Sequence, residues 1–256
     1  MHKHCNPHVT IAAAVAAALM LSAAGQALAT ATSFFEPDAW TTGDANTTYQ
    51  EWDTVTGTSG NTPDVGLSVN PSITTDPTLS AVAPGFVAGS GNFYAFSAPY
   101  RITADIYNHG GSSGTGGLPA GAGTHVIVQT SATLNEGQGI QADTLQIVDL
   151  PGNAIAGGDN AGALRHDVLF EGTVSSSMGP VTQREEIWEF FLPNYVGDFR
   201  LQSDVAIHSS FDQLRVDTAI GRDAFATMDV PEPATLALLA VGGALTLARR
   251  RTPHRV

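Results

Sequence analysis

From His125 to Ile220 apolar side chains recur at every second position, in short runs separated by turn residues. Period two sends successive side chains to opposite faces of a strand, so each run has one face for a core and one for solvent. His125–Leu134 contains Val126-Ile-Val128 and β-branched Thr130 and Thr133. Thr144–Leu150 closes on Pro151-Gly152. Asp167–Val174 follows the Gly-rich turn Gly157–Gly162. Phe199–His208 sets Leu201, Val205 and Ile207 against Gln202, Asp204 and His208. Phe211–Ile220 turns Leu214 and Val216 inward, with Arg215 and Asp217 outward. Strands at this spacing, with turn chemistry between them and no amphipathic helix, predict an all-β fold: an antiparallel β-sandwich, jelly-roll-like. Glu185–Leu192 is the ambiguous run. Arg184 and the glutamates at 185, 186 and 189 suit a helix. Pro193, and an aromatic face of Trp188, Phe190 and Leu192 opposite Ile187 and Phe191, favour a strand.

Upstream the signals are weaker. Residues 30–84 are rich in Thr, Asp, Asn, Gly and Pro and read as the loop-rich N-terminal part of the β domain. Short strands are expected near Tyr49–Val55 and Val65–Val69. Residues 85–229 form the expected sandwich core. Aromatics crowd from Gly85 to Asn108: Phe86, Phe93, Tyr94, Phe96, Tyr100 and Tyr107. Strands are expected at Phe93–Phe96 and Arg101–Ile106. Residues 110–123 then form a Gly-rich, flexible loop. Its Gly110-Gly-Ser112-Ser-Gly114 matches G-x-S-x-G literally. A nucleophile elbow needs a helix after it, and Thr-Gly-Gly-Leu-Pro cannot supply one.

The two ends of the chain are addresses. His2-Lys3-His4, an almost wholly apolar run from Ile11 to Gly25, and Ala27-Leu28-Ala29 form the three parts of a secretory signal peptide, residues 1–29. Ala27 and Ala29 are its cleavage signature. His2, His4, Cys5 and His8 lie in the segment that cleavage removes. The other end, residues 230–256, carries Pro231-Glu232-Pro233, the apolar segment 234–248 and the basic tail 249–256, which opens on Arg249-Arg250-Arg251. As a helix, the apolar segment spans about 22 Å, short of the roughly 30 Å hydrocarbon core. Arginines directly after such a segment stop transfer on the cytoplasmic side. The prolines stop the helix from extending backwards and leave an extended Pro-Glu-Pro exposed. This is a short C-terminal transmembrane helix with a protease-accessible outer boundary.

The C-terminal arrangement resembles the PEP-CTERM sorting signal of Gram-negative bacteria. Pro231, Glu232 and Pro233 are the processing motif, residues 234–248 the membrane segment and Arg249, Arg250 and Arg251 the stop-transfer cluster. The resemblance implies recognition by an exosortase, a membrane-embedded cysteine transpeptidase. It also implies export through the general export machinery, transient insertion in the inner membrane, and delivery to the cell surface or an extracellular polysaccharide matrix. It covers about a tenth of the chain and implies nothing about the chemistry of the rest.

Without its two ends the chain has no cysteine, so the mature domain relies on its core or on ions rather than disulfides. Residues 30–233 hold six arginines and all 24 carboxylates, a net charge of −18. That charge disfavours nucleic acid and anionic membrane surfaces and leaves divalent cations or neutral glycans as partners.

Chemistry-bearing residues are few. His109, His125, His166 and His208 form neither H-E-x-x-H nor H-x-H, and no thiol nucleophile remains. Glu185, Glu186 and Glu189 could supply paired carboxylates for glycoside hydrolysis. On a strand, however, Glu185 and Glu186 point to opposite faces, and Glu186 shares its face with Trp188 and Phe190. Gly158-Asp159-Asn160, beside His166 and Asp167, is either a cation loop or a solvated turn; it lacks the ligand spacing of an EF-hand. Trp40, Trp52 and Trp188 either stack on sugar rings or fill the sandwich. Phe211-Asp-Gln-Leu-Arg-Val-Asp217 resembles the final strand of jelly-roll carbohydrate-binding modules. In such modules an Asp near this strand sometimes holds a structural Ca2+. The expected role is therefore non-enzymatic: a structural or interaction protein of the envelope or exopolysaccharide matrix. A glycan-binding module is the alternative, and a glycoside hydrolase a more distant one.

Overall fold

The computed structural model describes residues 34–44, 46–68, 75–107, 122–176 and 179–221. The signal peptide at 1–29, most of the Gly-rich loop and the whole C-terminal segment 230–256 lie outside the described residues.

In chain order the strands are β1 (Thr47–Trp52), β2 (Val65–Ser68), β3 (Thr78–Ala81), β4 (Phe86–Val87), β5 (Phe93–Tyr94) and β6 (Tyr100–Ile106). They continue with β7 (Gly123–Leu134), β8 (Gln146–Asp149), β9 (Arg165–Ser176), β10 (Gly179–Leu192), β11 (Phe199–Val205) and β12 (Ser210–Gly221). Two antiparallel sheets result. The larger has the order β2-β1-β12-β7-β10-β9, with β5 on β12 and β4 on β5. The smaller runs β3-β6-β11-β8. The sandwich class expected from the period-two pattern is the one observed. First and last strands lie side by side, with Thr47 opposite Ala219 and Trp52 opposite Leu214.

The ambiguous run 183–192 is a strand. It belongs to β10, which pairs β7 from Thr182 to Leu192 and β9 on its other edge. Trp188, Phe190 and Leu192 are fully buried between the sheets, together with Trp52, Phe93, Phe199 and Phe211. Each large apolar side chain removed from water contributes roughly 2–3 kcal/mol. That gain outweighs the helix preference of the charged residues around it, which is worth only tenths of a kcal/mol each.

Three sequence expectations need correction. The short strands β3 and β4 fall where loops or no element were expected; Leu79 of β3 is nonetheless a core residue, 1% exposed. The run 199–208 stops at Val205, because His208 takes φ of 61° and the chain turns there. Arg215 and Asp217 do lie on the outer face of β12, yet they are buried, at 3% and 0% exposure. A strap from residues 34 to 44 covers that part of the sheet. Trp40 and Ala39 pack on Ile127, Ile187, Ala219 and Leu169 as a second, smaller core. Gln129 holds the strap as a neighbouring strand would: its Oε1 accepts Phe35 N and its Nε2 donates to Phe35 O, both at 2.8 Å.

Candidate functional site

On the inner face of the larger sheet the core gives way to a polar cluster. His166 of β9 sits opposite Trp188 of β10, and the two rings stack with centroids 4.6 Å apart and planes 5° apart. His166 Nε2 is 3.1 Å from Glu186 Oε1. Glu186 is 3% exposed. Burial pushes its carboxyl up, against the pull of His166 and Arg184. Three buried atoms on this face have no protein hydrogen-bond partner among the described residues: Glu186 Oε2, Trp188 Nε1 and Thr130 Oγ1. Arg184 binds Glu171 at 2.8 Å. Glu185 and Glu189 pair with Ser131 and Ile127 in the β7 register, on the face opposite Glu186. The three glutamates therefore do not face one another as a hydrolytic pair.

The outer face under the strap is a second polar cluster. Arg215 forks onto Asp217 at 2.7 and 2.9 Å, reaches Glu36 at 3.0 Å and lies over the Tyr49 ring at 4.6 Å. Burial pushes Asp217 up to about 6, against the guanidinium beside it. Burial also works against the charge of Arg215, and the Asp217 and Glu36 carboxylates outweigh it. His125 is fully buried, edge-on to Trp40 at 5.3 Å, and burial pushes it down to about 4. Its Nε2 lies 3.9 Å from Glu189, but a neutral imidazole makes that approach a packing contact rather than an ion pair.

Beyond the strap the same outer face opens into a groove of about 480 Å³, lined among others by Asp53, Asn92, Thr133, Gln183, Asp212 and Gln213. Its polar groups are largely engaged with each other. Asp212 accepts Asn92 Nδ2 and Thr133 Oγ1, both at 2.8 Å, and Gln213 Nε2 donates to Asp53 at 2.8 Å.

The tryptophans flagged as sugar-stacking candidates are core residues. Trp40 is 9%, Trp52 1% and Trp188 0% exposed. Trp52 Nε1 donates to Asn61 O at 2.9 Å, and Trp40 pins the strap. None turns a ring face to solvent, so the space-filling reading of these residues is the one their burial supports. Exposed aromatics lie elsewhere. Phe96, at 67% exposure, packs with half-buried Phe86 and Tyr94, and His208 lies beside Tyr94 and Phe96. Crowding of rings near residue 90 was visible in the sequence; the arrival of His208 was not.

The candidate cation loop does not assemble. Asp159 caps the short turn Asn160–Gly162, accepting Gly162 N at 2.7 Å. Asp167 pairs with Arg165, and His166 with Glu186. Of the two aspartates on β12, Asp217 faces a guanidinium and Asp212 accepts from amide and hydroxyl donors. Among the described residues no three His, Cys, Asp or Glu side chains are placed to share a metal ion. No helix among them is long and apolar enough to cross a membrane.

These geometries define an antiparallel β-sandwich whose charged groups are mostly tied to one another. Residues 229–251 match the family model of the PEP-CTERM protein-sorting motif. The chain carries that sorting signal, which marks an exported protein that an exosortase sorts toward the cell surface. No curated protein and no solved structure matches the chain.

Proposed function

We propose that this chain is a non-enzymatic structural or interaction protein of the cell envelope or exopolysaccharide matrix. The sorting motif at 229–251 is the observation that carries the reading. Cleavage after Ala29 releases the chain into the exported pathway. The segment 234–248 pauses it in the inner membrane, with Arg249–Arg251 on the cytoplasmic side. Exosortase then cuts near Pro231–Pro233 and hands the sandwich to the surface.

The test is subcellular fractionation of the full chain in its host. The unaltered protein should be recovered at the surface or in the medium. A Pro231→Ala/Pro233→Ala variant should accumulate in the inner membrane. Recovery of the unaltered protein in the inner membrane alone would contradict the reading. A glycan-binding role is the second reading, and the aromatic cluster around the exposed Phe96 favours it.

A further inference from the structure

Phe96 is the most exposed large apolar side chain among the described residues, at 67%. It is not isolated. Its ring lies nearly parallel to Phe86, with centroids 5.4 Å apart and planes inclined by 21°. Tyr94 stands edge-on to both, at 4.9 and 5.9 Å. His208 closes the group, 6.4 Å from both Tyr94 and Phe96. Aromatic side chains are enriched at binding surfaces relative to the rest of a protein's surface.

The backbone is strained to complete the cluster. His208 adopts φ of 61°, a left-handed conformation that costs a non-glycine residue roughly 1 kcal/mol or more. His208 N donates to Ala95 O at 3.0 Å, which ties the turn to the aromatic hairpin. Tyr94 Oη lies 3.4 Å from His208 Nδ1. The result is a cluster of three rings, with Phe96 exposed, Phe86 and Tyr94 half-buried beside it, and a hydroxyl and an imidazole at its margin.

Charge decides among the ligands such a patch could take. All five described arginines are held by carboxylates: Arg101 by Asp204, Arg165 by Asp167 and Glu189, Arg184 by Glu171, Arg200 by Asp105 and Arg215 by Asp217. The whole chain carries −13. An anionic polymer would meet no free guanidinium among these residues and a repelling field. A neutral pyranose ring fits better. Its axial C–H bonds, polarised by ring and hydroxyl oxygens, sit on the negative face of an aromatic ring. Its hydroxyls would reach Tyr94 and His208.

We infer that Phe86, Tyr94, Phe96 and His208 form a docking platform for neutral hexopyranose polysaccharide. This deepens the matrix role proposed above and rests on it. The experiment is affinity electrophoresis of the processed protein from its host, in native gels containing hydroxyethylcellulose, galactomannan or dextran, with alginate as the anionic comparison. The protein should be retarded by at least one neutral polymer and not by alginate. Phe96→Ala and His208→Ala should each weaken that retardation at least tenfold. The thermal midpoint of Phe96→Ala should stay unchanged, because so exposed a side chain contributes little to the core. Free migration in all three neutral gels, equal retardation of the variants, or retardation by alginate alone would overturn the inference. So would sedimentation showing that Phe96→Ala merely dissolves a dimer. A correctly cut, surface-located protein that ignores every polymer would sink the platform while leaving the sorting reading intact.

Discussion

The imidazole of His166 lies flat on the indole of Trp188, 4.6 Å between centroids, and presents Nε2 to Glu186 Oε1 at 3.1 Å. A stacking partner and a hydrogen bond thus fix one ring between the two most unusual residues of the inner face. Glu186 carries the cost of this arrangement, because it is buried and its Oε2 has no hydrogen-bond partner among the described residues.

A prediction follows for Glu186→Gln. The amide keeps a hydrogen-bonding group near His166 and removes the buried charge. The folded-state pKa of Glu186 lies above the ordinary 4.5, so the folded state holds its proton more tightly than the unfolded chain does. Its stability contribution is therefore complete below pH 4.5 and lost as pH rises through the folded value. Thermal melts should show Glu186→Gln gaining on the unaltered protein as pH rises from 4 to 8. The gain should be on the order of 2–4 °C per kcal/mol recovered. A variant that loses stability at pH 8 relative to pH 4 would assign Glu186 a charged structural role instead.

His125 gives the opposite sign. Burial holds it near 4 in the folded state, against 6.5 when free. Between those values the unfolded chain binds more protons, so stability is complete above pH 6.5 and falls as pH drops to 4. The loss is about 3 kcal/mol at 1.36 kcal/mol per pKa unit. The difference in unfolding free energy between the unaltered protein and His125→Gln, measured from pH 4 to 8, isolates this term from the carboxylates. The His125 ring resonances should titrate near 4. In Trp40→Ala, which uncovers the ring, they should move toward 6.5.

Asn61 is the polar hinge of the N-terminal part. Its Oδ1 accepts Thr56 N and Gly57 N, both at 2.9 Å. Its Nδ2 donates to Gly57 O at 2.7 Å and Leu79 O at 2.9 Å. At 6% exposure these groups have little water to fall back on. Asn61→Ala should cost about 3 kcal/mol in denaturant unfolding, several times the effect of an exposed polar deletion. Asn61→Asp, which sets a carboxylate oxygen against the Gly57 and Leu79 carbonyls, should cost at least as much. A cost below ~1 kcal/mol for the alanine variant would show that the loop repacks.

The sheet-forming half of the chain was legible because its strands alternate; on β11 the alternation survives as burial, and on β12 it survives as Leu214 and Val216 in the core between the sheets. Strand β4 has two residues and β3 has four, too few to show a period. The outward placement of Arg215 and Asp217 was correct, but their burial was not visible. Phe35, Ala39 and Trp40 carry no periodic signal, and only tertiary packing lays them across β12 and β7. The tryptophans left two readings open for the same reason: residue type says a ring can stack on sugar or fill a core, while burial depends on partners elsewhere in the chain. The aromatic platform was half legible. Three of its rings lie within eleven residues, but His208 joins Tyr94 from 114 positions away.

The central claim is that the C-terminal segment is a signal that is read and removed. Mass spectrometry of the C-terminal peptide, from protein isolated from its native host, tests it most directly. The account predicts a chain ending near Pro231–Ala234. A peptide that retains Arg249–Val256 in the surface-located protein would contradict it.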